Sequence, residues 1–420
     1  MTASEHRGRV LIAVAIVLTG FNLRTAVNSV GPVLEELQAG LGLSSGLAGL
    51  VTTMPVLSFA VIGFAGPSLS ARYRDSHVLA GALLAMAAGL VLRAVAGAFW
   101  LFLAGTTLAM VGGALGNVLL PGLVKRHFPG RTGLLVGAYG TAMAVGGAIA
   151  AISTAPIAAA TGTEGWRWAL GVWAVLALVA ALPWLAVPAA SAAARAQRRA
   201  VRMRDLTQSR TAIALSVFFA LQAMQAYVLI GWSAQYLRDM GLSAAAAGLL
   251  LGFNTAVIIP INAAVPVLTV RPHLQRPLLL LFMACYAGGW TGLWVAPLSA
   301  PWLWMTLLAM GLGTFSMVLT LMGLRARTPE TTAALSTVVQ GWGYLLAGAG
   351  PLLVGVLREA TGGYTGMFVL VLAGVVGLTA TGWLVTRQRY VDDEVPGWSS
   401  DREPDDVLAV SPPRDGSPSA

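Results

Sequence analysis

Along most of the chain, apolar residues run in blocks of about twenty or more, separated by short clusters of polar and charged residues. At 1.5 Å of rise per residue, such a block is long enough for an α-helix to cross a hydrocarbon core about 30 Å thick. The pattern predicts twelve crossings, near residues 10–32, 46–70, 77–98, 100–123, 132–159, 167–188, 211–237, 244–269, 276–296, 301–323, 332–357 and 364–386. The basic connection Arg325-Ala326-Arg327-Thr328-Pro329-Glu330 follows the tenth block. Lys125-Arg126-His127-Phe128-Pro129-Gly130-Arg131 follows the fourth. A matching loop at the same place in each group of six argues for a duplicated unit.

The expected fold is therefore all-α: a polytopic membrane protein of twelve transmembrane helices in two pseudo-symmetric six-helix bundles. The bundles are expected at 1–188 and 211–386, joined by a linker at 189–210 that carries Arg195, Arg198, Arg199, Arg202 and Arg204. Residues 387–420 turn acidic and rich in Pro and Ser, a composition that reads as a disordered tail.

Composition agrees with that reading. Of 420 residues 57% are hydrophobic and only 10% charged, with a mean hydropathy of +0.75, too much apolar surface for a soluble chain to hide. The net charge of +9 would suggest a nucleic-acid partner, but its distribution argues otherwise. With the N-terminus in the cytoplasm, 21 of the 26 Lys and Arg residues fall on the cytoplasmic side. The charge is a topology signal that puts both termini in the cytoplasm of a cell whose inner membrane holds the protein. The expected partners are the lipid bilayer and a small-molecule solute, with the monomer as the working unit. His6, Arg7 and Arg9 before Val10 to Leu18 resemble the start of a signal peptide, yet Asn22, Arg24 and Asn28 continue the helical pattern, so the segment reads as an uncleaved first span.

The single cysteine, Cys285, excludes an internal disulfide and a cysteine-based metal site. No span places His with carboxylate or Cys at ligand spacing, and no Gly-x-x-x-x-Gly-Lys-Ser/Thr loop occurs. No cofactor, metal or catalytic group is expected, so an enzyme and an ATP-driven pump are both disfavoured. A sensor on a transporter scaffold would need an output domain longer than either tail.

One charge stands out. Arg24 lies roughly 14 residues past the basic edge of the first span, hence about 21 Å in. A cation at that depth costs at least about 2.5–3.5 kcal/mol on insertion scales and usually marks a solute or ion path. Phe21, Arg24, Thr25 and Asn28 follow i, i+3, i+4, i+7 spacing and share one helical face. A guanidinium, with its fixed fork of donors, suits a small planar anion. The alternative is that Arg24 braces a neighbouring span through backbone carbonyls. No span interior offers an acid to neutralise it, which favours the first reading.

Several local patterns carry a resemblance. The stretch Asn22-Leu23-Arg24-Thr25-Ala26-Val27-Asn28-Ser29-Val30-Gly31-Pro32, the run Leu50-Val51-Thr52-Thr53-Met54-Pro55-Val56-Leu57, and Gly116-Asn117-Val118-Leu119-Leu120-Pro121-Gly122-Leu123-Val124-Lys125-Arg126 are three of them. Phe219-Ala220-Leu221-Gln222 and Gln340-Gly341-Trp342-Gly343-Tyr344-Leu345-Leu346 are two more. Together they resemble the cyanate and 2-nitroimidazole transporter family of the major facilitator superfamily. The chain departs from that superfamily's loop signature in having Ala71 where an aspartate belongs, and it lacks the antiporter Gly-Pro pair of the fifth span.

The resemblance implies a substrate held near the midplane between two halves, on faces of the first, fourth, seventh and tenth spans and their neighbours. Gln222, Gln225, Trp232 and Tyr236 fall on one face of the seventh span, facing Arg24 or else bonding between helices. Asn117, Asn254, and the pair Gln340 and Tyr344 are further candidates, with interhelical bonding as the alternative; Tyr139 and Thr53 are weaker ones. Arg93, near the outer end of the third span, is expected to snorkel to the interface.

Glu35, Glu36, Glu164, Asp239 and Glu359 lie near outer ends, and His6, His77, His127 and His273 near the inner face. A buried carboxylate relay is thus not expected, leaving facilitated diffusion, anion exchange, or a proton carried on the substrate. The expected function is alternating-access transport of a small, cyanate-like anion anchored by Arg24. The alternative is export of a neutral nitro-aromatic or drug-like compound such as a 2-nitroimidazole, which would survive loss of the Arg24 charge.

Overall fold

The computed structural model describes residues 3–72, 75–128, 131–186 and 205–395. The first half contains α1 (Ala3–Asn28), α2 (Leu34–Leu41), α3 (Ser45–Arg72) and α4 (Asp75–Val95). It continues with α5 (Phe99–His127), α6 (Thr132–Ala160), α7 (Gly165–Gly171) and α8 (Trp173–Ala186). The second half has α9 (Arg210–Asp239), α10 (Ala244–Thr269), α11 (Pro272–Val295), α12 (Pro301–Gly311) and α13 (Thr314–Leu324). After these come α14 (Pro329–Ala347), α15 (Ala349–Thr361), α16 (Thr365–Val385) and the short α17 (Val391–Glu394). Among the described residues, twelve stretches are long and apolar enough to cross a membrane, and each overlaps one predicted from sequence. The sixth, tenth and eleventh spans are each broken into two helices, and the first bends where α1 gives way to α2.

The bend in the first span is written locally. Pro32 has no N–H to give and restrains the residue before it, so α1 stops at Asn28 and a 3-10 turn, Gly31–Val33, leads into α2. Gly31 also permits close approach: a Cβ there would sit 2.7 Å from the Ile230 carbonyl of α9.

Neighbour pairs recur between the halves. α1 packs on α6 as α9 packs on α14; α4 packs on α5 and α8 as α11 packs on α12 and α16. The halves meet through α6 with α10 and through α3 with α14 and α15, again an equivalent pair of contacts. Leu, Val and Trp side chains such as Trp100, Leu134, Trp168, Leu182, Trp302 and Val376 stay exposed, as a lipid-facing surface requires.

Two charged features differ from the sequence reading. Arg93 does not snorkel: it is fully buried, and its guanidinium donates to the Ala26 carbonyl (3.1 Å), the Ser29 hydroxyl (3.1 Å) and the Leu170 carbonyl (3.3 Å). The carbonyls in the last turn of a helix have no partner within it, so a cation there is favourable; Arg93 caps α1 and ties it to α7. We predict that Arg93→Ala costs about 2–4 kcal/mol, since three acceptors lose their donor and a cavity opens. The melting temperature in detergent measures this, and a value equal to that of the parent would refute the bracing role.

The second difference is at the C-terminus. Residues 387–395, assigned to the tail by composition, are ordered against the second half; 396–420 lie outside the described residues. Val391 N–H donates to the Arg325 carbonyl (2.9 Å), Asp392 accepts from Arg327 N–H and the Thr331 hydroxyl (both 2.8 Å), and Asp393 pairs with Arg327 (2.7 Å). Burial alone would raise the Glu394 carboxyl. Hydrogen bonds from the Ser209 hydroxyl (2.7 Å), Thr211 N–H (2.9 Å) and Thr211 hydroxyl (2.8 Å) outweigh it and hold the group below its ordinary value of 4.5. A depressed carboxyl stabilises above the unfolded value and stops doing so as pH falls through the folded one. Glu394→Gln should therefore melt lower than the parent above about pH 5, with the gap closing on acidification below about pH 4. A gap that persists unchanged in acid would show that the carboxylate is not what holds the segment.

Candidate functional site

A cavity lies in the middle of the molecule between the halves, walled by α1, α6, α9, α10, the α12–α13 break, α13 and α14. It leaves about 100 Å³ for the centres of water-sized molecules, room for several waters or one small solute. Five of the residues proposed from sequence line it: Arg24, Asn28, Gln222, Asn254 and Tyr344. Among the described residues, no Asp, Glu or His lines it.

Arg24 is half-buried and makes no hydrogen bond or ion pair among the described residues. Close to it lie Tyr227 and Tyr344, whose rings meet edge to face with centroids 6.4 Å apart. A cation and two phenolic donors thus share one end of the cavity. Gly147 of α6 makes this possible: a Cβ there would lie 2.8 Å from Asn28 Nδ2 and 3.0 Å from Arg24 Cβ.

The amides are unequally used. Asn28 Nδ2 donates to the Thr255 hydroxyl across the halves at 3.4 Å, but among the described residues Asn28 Oδ1 has no partner, and neither does Gln222 Oε1. Both residues are almost wholly buried. Asn254 Nδ2 is spent on the Met305 carbonyl (2.7 Å), and Asn262 Oδ1 accepts from the Ser316 hydroxyl (2.7 Å).

The other candidates are placed elsewhere. Thr25 bonds back to the Asn22 carbonyl, and the Phe21 backbone abuts Gly146 of α6. Gln225 is committed on both sides, donating to the Val371 carbonyl and accepting from Trp290 Nε1 (both 2.7 Å). Trp232 Nε1 donates to the Pro351 carbonyl (3.1 Å) and Tyr236 to the Leu293 carbonyl (2.6 Å), so both pack within the second half. Gln340 bonds Ser336 a turn earlier, Thr53 donates to Gly49 and across to Gly348, and Tyr139 packs against Gly20; Asn117 is half-buried outside the cavity wall.

The cavity takes the opposite edge of α9 from most of the sequence candidates, sharing only Gln222 with them. At 100° per residue the lining positions Gln222, Ala223, Ala226, Tyr227 and Ile230 centre about 70° to one side of Gln222, whereas Gln225 lies about 60° to the other. Tyr227, Thr255, Asn262 and Phe315 were missed. The small residues Ala223 and Ala226 beside Tyr227 are the signal that could have found that face.

At the end of the molecule where α1 bends, ion pairs join the halves. Arg238 of α9 bonds Glu36 (2.7 and 2.9 Å), pairs with Glu35 (2.8 Å) and donates to the Pro32 carbonyl (3.0 Å). Beside it Glu359 accepts from Gly46 N–H (2.7 Å). Asp239 accepts from Arg358 (2.6 Å) and from the Tyr364 hydroxyl (2.7 Å).

Comparison with known proteins bears on this geometry. A family model described as Major Facilitator Superfamily matches residues 11–351. An uncharacterized transporter of Bacillus subtilis, YycB, is 34% identical over 90% of this chain and 93% of its own. The 2-nitroimidazole transporter of Escherichia coli is 32% identical over 90% of this chain and 97% of its own, and the cyanate transport protein CynX of the same organism 30% over 86% and 94%. Among solved structures, a bacterial homolog of the human lysosomal transporter Spinster, in an inward-facing and occupied conformation, superposes with a TM-score of 0.73 at 18% identity, covering 91% of this chain and 97% of that one.

Proposed function

The chain belongs to the major facilitator superfamily and is a multi-pass membrane transporter of small solutes; from that premise we propose that its solute is anionic and is anchored by Arg24. The observation that carries the reading is an arginine without a partner among the described residues, facing a cavity between the halves with no carboxylate in its wall. Desolvating a guanidinium is costly, and an anion that accepts its forked donors offsets that cost. The tyrosine hydroxyls of Tyr227 and Tyr344 add neutral donors, and Asn28, Gln222 and Asn254 complete the polar wall.

The proposal includes alternating access between halves bounded as the sequence suggests, at 1–188 and 211–386, with both termini cytoplasmic and the Glu35–Arg238 end outward. The ion pairs at that end then describe a conformation closed to the outside. With no acid or histidine in the cavity wall, the solute moves by diffusion, by exchange, or with its own proton.

The 2-nitroimidazole transporter of Escherichia coli and the largely apolar wall favour a second reading, a neutral nitro-aromatic exported from the cell. Ligand-dependent thermal stabilisation of purified protein separates the two. The panel is cyanate, thiocyanate, nitrate, small carboxylates and a neutral nitroimidazole, on intact protein and on Arg24→Gln. Stabilisation by an anion that vanishes in the variant supports the first reading; stabilisation by the neutral compound alone, unchanged in the variant, establishes the second.

A further inference from the structure

The cavity is poorly matched to a bare triatomic anion. Beyond the Arg24 end its wall is mostly apolar: Met143, Ala226, Ile230, Ile258, Leu312 and Phe315 surround the few polar groups of Asn254, Thr255 and Asn262. Cyanate or nitrate on the guanidinium would leave that wall facing water, and apolar surface gains only when something apolar covers it. The wall is also aromatic and held fast: Tyr344 stacks on Phe59 (5.3 Å between centroids) and meets Phe219 edge to face (4.9 Å). Flat rings pack well on such a surface.

A second observation concerns donors. The Asn28 and Gln222 amides have carbonyl oxygens that are buried with no hydrogen-bond partner among the described residues. Burying an unpaired acceptor is unfavourable, and a ligand that donates to it recovers the loss. Cyanate, thiocyanate and nitrate have no donor to offer. For Asn28 the assignment is fixed by its partner: the Thr255 hydroxyl is spent on the Leu251 carbonyl (3.0 Å), so it accepts from Asn28 Nδ2 and leaves Oδ1 as the orphan.

Taking Arg24 as the anchor proposed above, we infer that the solute is a planar aromatic ring bearing a carboxylate and, on the ring, an N–H or O–H donor. The carboxylate accepts from the Arg24 fork and the Tyr227 and Tyr344 hydroxyls, the ring covers the apolar wall, and the ring donor reaches an orphaned amide oxygen. A nitro group places two in-plane oxygens where a carboxylate has its own, so a nitro-substituted ring with an N–H fits the same frame more weakly.

The test is a matched pair, pyrrole-2-carboxylate and furan-2-carboxylate, alike in shape and charge but differing in one ring N–H. Their Kd values and that of cyanate are measured calorimetrically on intact protein, on Gln222→Met and on Arg24→Gln. Pyrrole-2-carboxylate is expected to bind roughly ten-fold tighter than furan-2-carboxylate, the worth of about one buried hydrogen bond, and both tighter than cyanate. Gln222→Met, which keeps the side-chain volume, is expected to shrink that preference. Equal Kd values for the two rings on intact protein, cyanate binding as tightly as either, or no binding of either ring overturns the inference whatever the variants do. Failure of the anchor itself is seen separately, as both carboxylates binding Arg24→Gln as they bind the parent.

Discussion

Arg24→Gln is expected to abolish anion-dependent stabilisation while leaving the fold intact. A forked pair of charge-assisted hydrogen bonds contributes about 3–4 kcal/mol, so affinity for an anionic solute should fall by two to three orders of magnitude. A ligand at about 100 times its Kd stabilises the parent by about 2.7 kcal/mol, and at the same concentration the variant should show almost none of it. Arg24→Lys keeps the charge but loses the fork, and should fall between the two.

The unliganded proteins supply the control. Arg24 has no partner among the described residues, so its removal breaks no hydrogen bond or ion pair with them; the unliganded variant should melt no lower than the parent. Arg93 is the same residue type in the opposite situation, with three acceptors and no access to solvent. One arginine should matter for ligand and not for stability, the other for stability first. A drop in melting temperature for unliganded Arg24→Gln as large as that for Arg93→Ala would return Arg24 to a bracing role.

The second large effect is expected at Arg238. Its side chain is 13% exposed and its partners Glu35 and Glu36 are 58% and 35% exposed, so Glu35 is largely screened and Glu36 carries most of the attraction. Arg238→Gln should weaken closure at that end by about 1–2 kcal/mol, a five- to thirty-fold shift in the open-to-closed ratio. Arg238→Glu sets three carboxylates together and should shift it further. Labelling of a cysteine placed at Ala226, in a Cys285→Ala background, reads the change from the Glu35 side. A charge-swapped protein carrying Arg238→Glu with Glu36→Arg should close again. Labelling that is the same in all of these would show that the pairs do not govern access.

How much of this was legible from sequence depends on what sets each feature. The spans could be read because a bilayer demands about twenty apolar residues regardless of neighbours. That Arg24 and Asn28 line a cavity could be anticipated because polar groups are rare and costly at that depth. Gln222 and Gln225 could not be told apart, since both are amides on an apolar helix and only the neighbouring Val371 and Trp290 decide that Gln225 is spent inside the second half. Tyr227 was passed over because an aromatic residue in a membrane helix is unremarkable until its neighbours are known. Arg93 was misjudged for a related reason. Its distance along the helix suggested the interface, while the carbonyls that hold it belong to segments 67 and 77 residues away. The ordered stretch 387–395 was hidden by its acidic composition, which reads as solvated until the Arg327, Ser209 and Thr211 groups opposite it are seen.

One feature of α9 sets the mechanics of the whole assembly. It runs unbroken for 30 residues, with Arg238 near one end, Gln222 and Tyr227 near its middle, and Thr211 fastened by Glu394 at the other. Arg238 is thus about 20 Å from the helix midpoint, whereas Tyr227 is within about 5 Å of it. A tilt of about 10° around that midpoint displaces Arg238 by about 3–4 Å, enough to part it from both glutamates, yet moves Tyr227 by less than about 1 Å. A stiff rod pivoting at its centre amplifies at its tip what it spares at its fulcrum. The Glu35 end can swing open while the wall of the cavity is almost undisturbed.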